Sequence, residues 1–158
     1  MAAPVATARG TPTGNFLEDG FRSLVTFGNN STIGLWEKSV KPPGWDGGDP
    51  VQTSTMHNVE FRTMAPRQLK TLTTSTFKFA YDPAAMDSIK TQINRKQTLT
   101  QRYSDGSTLA YYGFLQSCEF DDLVEGTQPE GTATLTPTNY DSANKVEAAP
   151  VLVSVAGT

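Results

Sequence analysis

The side chains that most often catalyse reactions or bind metals are scarce in this sequence. Its 158 residues include a single histidine, His57, and a single cysteine, Cys118. A zinc site ordinarily takes three or four protein ligands, so one residue of each type is a poor basis for one. The motifs Gly-x-Ser-x-Gly, Gly-x-Gly-x-x-Gly and the P-loop do not occur. The sequence therefore predicts no metal site, no cofactor site and no catalytic nucleophile.

Carboxylates are the one reactive group present in numbers. Two of them facing each other can hydrolyse a glycosidic bond, and the candidates are Asp46, Asp49, Glu119, Asp121, Asp122 and Glu125. The adjacent Asp121 and Asp122 point apart in an extended chain, and beside Gly126 they fit a solvated acidic turn. The stretch DGGDP, residues 46–50, lacks the alternating oxygen ligands of an EF-hand calcium loop. We therefore predict that the protein is not an enzyme.

The stretch KPPGWDGGDP, residues 41–50, contains three prolines and three glycines around Trp45. Proline lacks an amide donor and glycine is costly to order, so this stretch predicts a loop rather than a helix or a central strand. An exposed tryptophan in a loop either stacks on a sugar or anchors a protein interface. Of these two, the sequence favours the interface.

The composition indicates one domain made mainly of strands. Hydrophobic residues make up 37% and charged residues 18% of the chain, and threonine, serine and glycine fill much of the rest. The formal net charge of −3 gives no general attraction to nucleic acid or to an anionic membrane. No segment is long and apolar enough to predict a membrane-spanning helix. Cys118 lies in an apolar-polar alternation, which favours a small buried side chain.

The local patterns predict several strands and one helix. Strands are predicted at FRSLVTF, TIGLWE, MHNVEFRTM and TATLTPT, and within LKTLTTSTFKFAYDP, where Phe77, Phe79 and Tyr81 alternate with Lys78 and Ala80. A hairpin is predicted around Asp105-Gly106, and the alternating threonines predict a sheet with one solvated face. Asp82 as N-cap and Pro83 at the first position predict a helix over residues 82–95, with Met86, Ile89 and Ile93 on one side.

Both ends of the chain are predicted to be arms. Residues 1–15 are small and rich in Pro, Gly and Thr, which predicts a flexible N-terminal arm. Residues 141–158 include VLVSV, which places Val151, Val153 and Val155 on one face of a strand. This strand lies either on its own domain or on a neighbouring subunit.

The order of these elements resembles that of the major tail tube proteins of tailed bacteriophages. The resemblance covers residues 16–140 and rests on YDP at the start of the helix, GFL in the long strand, DDLVEG, and EGTATLTPTN in the last strand. It implies a β-sandwich or small barrel flanked by one helix, with a long early loop over residues 39–58. It also implies a homo-hexameric ring that stacks with others into the tail tube of a virion, assembled in the host cytoplasm.

The resemblance further implies contacts and partners. The loop and the terminal arm would contact the next ring, through Pro42, Pro43, Trp45, Asp46, Asp49, Val151, Val153 and Val155. Candidates for an acidic lumen are Glu60, Glu119, Asp121 and Asp122. The partners implied are a terminator, a tape measure, in some tails a sheath, and double-stranded DNA in transit. Six copies at −3 each carry −18 formal charges per ring, which would repel DNA phosphates.

Two alternatives remain open at this level. A carbohydrate-binding β-sandwich could use Trp36, Trp45 and Tyr111 or Tyr112 as a stacking platform. A capsid decoration protein or a tail terminator would share a compact β fold with arms. The first predicts a stable monomer that binds polysaccharide, and the second predicts a trimer or a ring that does not stack.

Overall fold

The computed structural model describes residues 23–30 and 32–154. The predicted N-terminal arm, residues 1–15, and Val155 lie outside these ranges. Within them the chain forms these elements in order: β1 Leu24–Phe27, β2 Glu37–Lys41, β3 Trp45–Asp46, β4 Val51–Gln52, β5 Met64–Ala65, β6 Thr71–Leu72, β7 Ser75–Ala80, α1 Pro83–Gln92, β8 Gln97–Arg102, β9 Thr108–Phe120, β10 Glu130–Pro137, β11 Tyr140–Asp141, β12 Val146–Glu147 and β13 Val151–Val153.

The main element is one antiparallel sheet with the strand order β1-β8-β9-β10-β7-β2, to which β13 adds alongside β9. The sheet curls into a half-barrel. Its two edge strands approach each other, and the Val25 amide donates a hydrogen bond to Glu37 Oε1 over 3.3 Å. The prediction of a mainly β, sandwich-like or barrel-like fold with one helix is therefore confirmed.

The hydrophobic core lies on the concave face of this sheet. Alternate residues of each long strand point inward, as the two-residue period of a strand requires. The most deeply buried of these side chains are Phe27, Phe77, Phe79, Leu99, Leu109, Tyr111, Leu115 and Leu135. Fully burying one such side chain contributes about 1.5–3 kcal/mol to the stability of the folded state. The side chains of this face therefore provide most of the hydrophobic stabilisation.

The convex face carries a band of threonines. Thr26 pairs with Thr100, Thr134 pairs with Thr76, and all four side chains are half-buried. Threonine combines β-branching with a hydroxyl that tolerates water, which explains its use on a solvated sheet face.

The predicted hairpin forms between β8 and β9. Gly106 has a φ of 88°, and the Ser107 amide donates to Asp105 Oδ1 over 2.9 Å. Further along β9 the pairing with β10 shifts by one residue at Gln116, because Leu115 pairs with Leu135 while Ser117 pairs with Thr134. This β-bulge exchanges the inward-facing and outward-facing positions of the residues that follow it in β9, so that Cys118 lies opposite the buried Ala133.

The helix α1 begins as its sequence predicts but ends earlier than residue 95. Asp82 caps it by accepting from the Ala84 amide over 2.9 Å. Ile89 is buried against the sheet, and Ile93 already has extended backbone and bridges to Leu115 of β9. The Asn94 amide then donates to the Leu115 carbonyl, so tertiary pairing with the sheet ends the helix.

Two strand predictions are wrong. In the segment TIGLWE, residues 32–36 form no strand, and the second strand is β2, which begins at Glu37 and pairs with β7. In the segment MHNVEFRTM only Met64 belongs to a strand, and residues 53–63 form an exposed turn. Both segments alternate like strands, but the folded chain offers them no long partner strand at that position.

The position of Glu37 between the two sheet edges makes a prediction about pH. Burial raises the pKa of its carboxyl, against the opposing effect of hydrogen bonds from its own backbone and from Val25. The pKa of Glu37 is higher in the folded than in the unfolded protein. The contribution of this carboxyl to the free energy of unfolding is therefore present in acid and is lost as the pH rises through the folded pKa. Glu37→Gln should therefore melt at the same or a higher temperature than the wild type at pH 7, and lose that advantage near about pH 4.

Glu130→Gln is the matched control in the same thermal melts. The pKa of Glu130 is lowered, chiefly by the hydrogen bond from Lys38, so removing its charge should lower the melting temperature or leave it unchanged at pH 7. A lower melting temperature for Glu37→Gln at pH 7 would contradict the assignment of Glu37 as a desolvated carboxyl.

Candidate assembly surfaces

The most prominent surface feature is a projecting two-stranded ribbon, residues 42–74, here called the arm. It leaves the sheet after β2 and returns at β7. Trp45 pairs with Leu72, and further out Val51 pairs with Ala65. The Arg67 Nε atom also donates to the Asp49 carbonyl over 2.8 Å, which ties the two sides together between the ladders. The predicted early loop of residues 39–58 is therefore the outgoing side of a longer structure.

The outer end of the arm, residues 53–63, is here called the arm tip. The Thr53 amide donates to the Thr63 carbonyl over 2.9 Å, which closes the turn. Inside it, Asn58 Oδ1 accepts from the Thr55 amide and Asn58 Nδ2 donates to the Phe61 carbonyl, each over 2.8 Å. One side chain thus connects both halves of the turn and gives the tip a defined shape.

The arm tip presents apolar side chains to solvent. Met56 and Val59 are fully exposed, and Phe61 is 75% exposed. Single exposed apolar residues are ordinary on protein surfaces, but three within six residues of a hydrogen-bonded turn make this cluster a candidate interaction site. No partner for this cluster lies within the described part of the chain.

The residues predicted to contact a next ring fall into several environments. Trp45, Asp46 and Asp49 are exposed at the base of the arm, as is Pro42, whereas Pro43 is buried. Asp46 Oδ1 accepts from the Gly48 amide, where φ is 74°, and so shapes the bend of the ribbon. Pro43 supports the arm base from within, and the other four are accessible.

The C-terminal segment lies on its own domain as far as the structure describes it. Val151 and Val153 in β13 pair with Ala110 and Thr108 of β9, and both valine side chains remain more than half exposed. A pocket of about 370 Å³ lies between the arm base and this segment, with Trp45 and Pro150 on its lining. The predicted loop and tail contacts are therefore neighbours in space.

The four predicted lumen carboxylates do not form one group. Glu119, Asp121 and Asp122 lie together at the end of β9, whereas Glu60 lies in the arm tip. Asp121 forms an ion pair with Lys78 over 3.6 Å, and neighbouring Glu130 pairs with Lys38. Two lysines thus offset part of the negative charge at this end of the sheet.

An apolar groove at the same end was not predicted from the sequence. It has a volume of about 410 Å³ and is lined mainly by Tyr81, Phe120, Leu123 and Pro129, and we call it the distal groove. The Phe120 ring packs edge-on against Phe79 of the core and against Tyr81, with centroid distances of 6.3 and 5.8 Å. The only sequence signal is the placement of apolar residues inside the acidic stretch EFDDLVEG.

Hydrogen bonds hold the walls of the distal groove. The Tyr81 amide donates to the Pro129 carbonyl over 2.9 Å, and the Asp121 amide donates to the Glu130 carbonyl over 3.0 Å. The loop between them turns at Gly126, where φ is 84°. The groove is therefore preformed, yet Phe120 stays 53% exposed and Leu123 80% exposed.

The arm and the distal groove lie at opposite ends of the sheet. The arm joins β7 at Ser75, and the groove residue Tyr81 follows β7 directly after Ala80. Six residues of a strand span roughly 17–20 Å, so the two surfaces face away from each other along the strand direction. A chain with different apolar surfaces at its two ends has the geometry of head-to-tail association.

The two tryptophans of the alternative sugar platform lie in different pockets, so they do not form one stacking surface. Tyr111 is buried in the core, where Gln101 Nε2 donates to its hydroxyl over 3.3 Å. Trp36 and Trp45 are both exposed, but Trp36 accompanies Tyr81 in a cavity at the groove end and Trp45 lies at the arm base. The aromatic side chains that would have to cooperate are therefore apart.

The other reactive residues form no site in the described part of the chain. No group of three or more His, Cys, Asp and Glu side chains there could hold a metal ion. Cys118 is partly buried against the core, and burial raises the pKa of its thiol. Among the same residues, no helix is long and apolar enough to cross a membrane.

Trp45 allows the arm base to be tested separately from the tip. Because Trp45 is 59% exposed but pairs with Leu72, which belongs to the core, Trp45→Ala should lower the free energy of unfolding by about 1 kcal/mol or less. Self-association, measured by light scattering against concentration, should weaken. Loss of the folded monomer in circular dichroism would show instead that Trp45 supports the core.

Comparison with known proteins finds similarity in structure alone. No protein-family model matches the sequence, and no curated protein matches it. One similar solved structure is the tail of an empty GTA particle with C6 symmetry, at 11% identity and a TM-score of 0.56, over 89% of this chain and 100% of the other. Another is the six-fold symmetrised baseplate of the anti-feeding prophage, at 10% identity and a TM-score of 0.56, over 89% of this chain and 97% of the other. The resemblance to phage-tail structures is thus confirmed at the level of the fold.

Proposed function

We propose that this protein is a structural subunit of a phage-type tail, in which hexameric rings of the chain stack into a hollow tube. The observation that carries the proposal is the extent of the structural similarity, which spans 89% of this chain in two six-fold symmetric tail and baseplate assemblies. The protein would be located in the virion tail and would act through assembly rather than through catalysis.

The surfaces of the chain support this proposal. The arm tip exposes Met56, Val59 and Phe61, and the distal groove exposes Phe120 and Leu123 at the other end of the sheet. Exposed apolar surfaces at both ends do not stabilise a monomer, whereas a stack of identical copies would bury both surfaces at every contact between rings. The same logic applies to the free edges of the curled sheet, which neighbouring subunits in a ring would cover.

The proposal extends to the passage of double-stranded DNA through the tube. The convex face of the sheet offers mainly hydroxyls, from threonines such as Thr76, Thr100 and Thr134, rather than the clustered Lys and Arg of a DNA-binding surface. A lumen lined by this face would offer phosphates few cationic side chains, so DNA would pass without retention. The terminator and tape measure, and in some tails a sheath, would be the remaining partners.

Negative-stain electron microscopy of the purified full chain, across a concentration series, tests the proposal. We expect six-fold rings at low concentration and hollow tubes at high concentration. Addition of preformed tube ends as seeds would separate a nucleation barrier from an inability to assemble. Dispersed monomers at every concentration, with and without seeds, would contradict the proposed function.

A further inference from the structure

We propose that three polar side chains inside the core hold the arm in one direction relative to the sheet. They are Ser75, Gln101 and Tyr111, here called the core network, and they act as positioning residues through the backbone carbonyl of Lys41. The proposal concerns the single chain and does not depend on ring assembly. For the proposed function it means that the arm is oriented before any contact forms, which reduces the conformational entropy lost on association.

The core network joins the two positions at which the arm meets the sheet. The arm leaves after Lys41, the last residue of β2, and returns at Ser75, the first residue of β7. The Ser75 hydroxyl donates to the Lys41 carbonyl over 2.7 Å, and it accepts a hydrogen bond from Gln101 Nε2. The same Gln101 amide donates to the Tyr111 hydroxyl over 3.3 Å. A chain of hydrogen bonds therefore runs from both ends of the arm into the centre of the domain.

The hydrogen bond between Gln101 and Ser75 crosses the concave face of the sheet. Gln101 lies on β8 and Ser75 on β7, and in the order of the sheet these strands are separated by β9 and β10. All three side chains of the core network are deeply buried, at 2% exposure or less. A contact across the interior fixes the curl of the sheet. It thereby fixes the direction in which β2 and β7 lead into the arm.

The arm depends on such support because its strand pairing is interrupted where it meets the sheet. β2 pairs with β7 as far as Lys41, and pairing between the two sides resumes at Trp45 of β3. Between these residues lie Pro42 and Pro43, which have no amide hydrogen to donate across the ribbon. A ribbon bends most easily where its backbone pairing is missing. The hydrogen bond from Ser75 to Lys41 lies directly beside this interruption.

The core network lowers the stability of the core in a way that apolar side chains would not. Leu99 and Leu109, inward-facing residues of the same two strands, are fully buried. Gln101 Oε1 is buried as well, and no donor in the described part of the chain reaches it. A buried acceptor without a partner lowers the free energy of unfolding, whereas leucine in place of Gln101 would bring no such cost. The advantage of glutamine at this position is therefore its hydrogen bond to the end of the arm, through Ser75.

Pulsed electron paramagnetic resonance tests the proposal on the full chain, below the concentration at which it assembles. In a Cys118→Ser background, spin labels are attached at Val51→Cys on the arm and at Asp87→Cys on α1, which are both exposed positions. We expect a narrow distribution of distances between the labels. Ser75→Ala and Gln101→Leu should each broaden it, because the arm then takes several directions. An unchanged distribution in folded Ser75→Ala would overturn the proposal.

Gln97→Leu is the matched control for Gln101→Leu. Gln97 is also a buried glutamine on the inward face of β8, but its hydrogen bonds are made with the Asn29 amide and with Gln92. Its replacement should leave the distance distribution of the wild type unchanged. Equal broadening by Gln97→Leu would overturn the proposal, since any loss of a buried glutamine would then loosen the arm.

Amide hydrogen exchange separates positioning of the arm from general stability of the core. The Gly44 amide donates to Thr73 Oγ1 and the Thr73 amide donates to the Gly44 carbonyl, each over 2.8 Å, where the arm meets the sheet. Both amides should exchange at least about five-fold faster in Ser75→Ala and Gln101→Leu, because a hydrogen bond that supports them is lost. The amides of β9 should change less. Equal acceleration in β9 would overturn the proposal, whereas absence of rings and tubes from the wild-type protein would count only against the proposed function.

Discussion

The triple variant Met56→Ser, Val59→Ser, Phe61→Ser remains folded and forms no tubes: this is the largest expected effect on assembly. All three side chains are exposed in the arm tip, so their replacement should change the free energy of unfolding by about 0.5 kcal/mol or less. A buried anchor of an interface contributes about 2 kcal/mol. The loss of three anchors should raise the critical concentration for stacking by at least about a hundred-fold.

Two measurements decide this prediction. Thermal unfolding by circular dichroism should give the wild-type melting temperature, and sedimentation of assembled tubes should give the critical concentration. The control variant is Thr55→Ala, Thr63→Ala, because it changes the same turn without removing an apolar side chain. Normal tubes from the serine variant would show that the arm tip is not part of the stacking contact.

Phe79→Ala is the substitution with the largest expected effect on stability. Phe79 is fully buried, and its ring packs against Phe77 at a centroid distance of 5.9 Å as well as against Phe120. Truncating a buried phenylalanine to alanine costs about 3–5 kcal/mol, which is a large part of the stability of a small domain. Urea denaturation should show a much lower midpoint, with assembly lost together with the fold.

Tyr81→Ala is the matched control for Phe79→Ala. Tyr81 contacts the other side of Phe120 but is 48% exposed, so its loss should cost about 1 kcal/mol or less in unfolding. Because Tyr81 lines the distal groove, this variant should stay folded and stack less well. Equal destabilisation by the two variants would mean that the groove wall is part of the folding core.

The features that the sequence predicted correctly are those determined by neighbouring residues. Asp105-Gly106 provides the backbone angles of the β8–β9 turn, and Asp82 with Pro83 begins α1 where predicted. The prolines and glycines of residues 41–50 exclude a helix and a central strand by their own geometry, and the structure has only the end of β2 and the two-residue β3 there. These signals act within a few residues and do not depend on what the rest of the chain does.

The sequence by itself therefore determined a mainly β domain with one capped helix, one tight hairpin and a long segment leaving the sheet near Lys41. Only the tertiary structure decided which strands pair, because a strand alternates in the same way whether its partner is near or distant in the chain. The alternation of Val59 and Phe61 predicted a strand, and the fold places both in an exposed arm tip. The distal groove likewise required the sheet, since pairing with β10 is what brings Tyr81 and Phe120 together from positions 39 residues apart in the sequence.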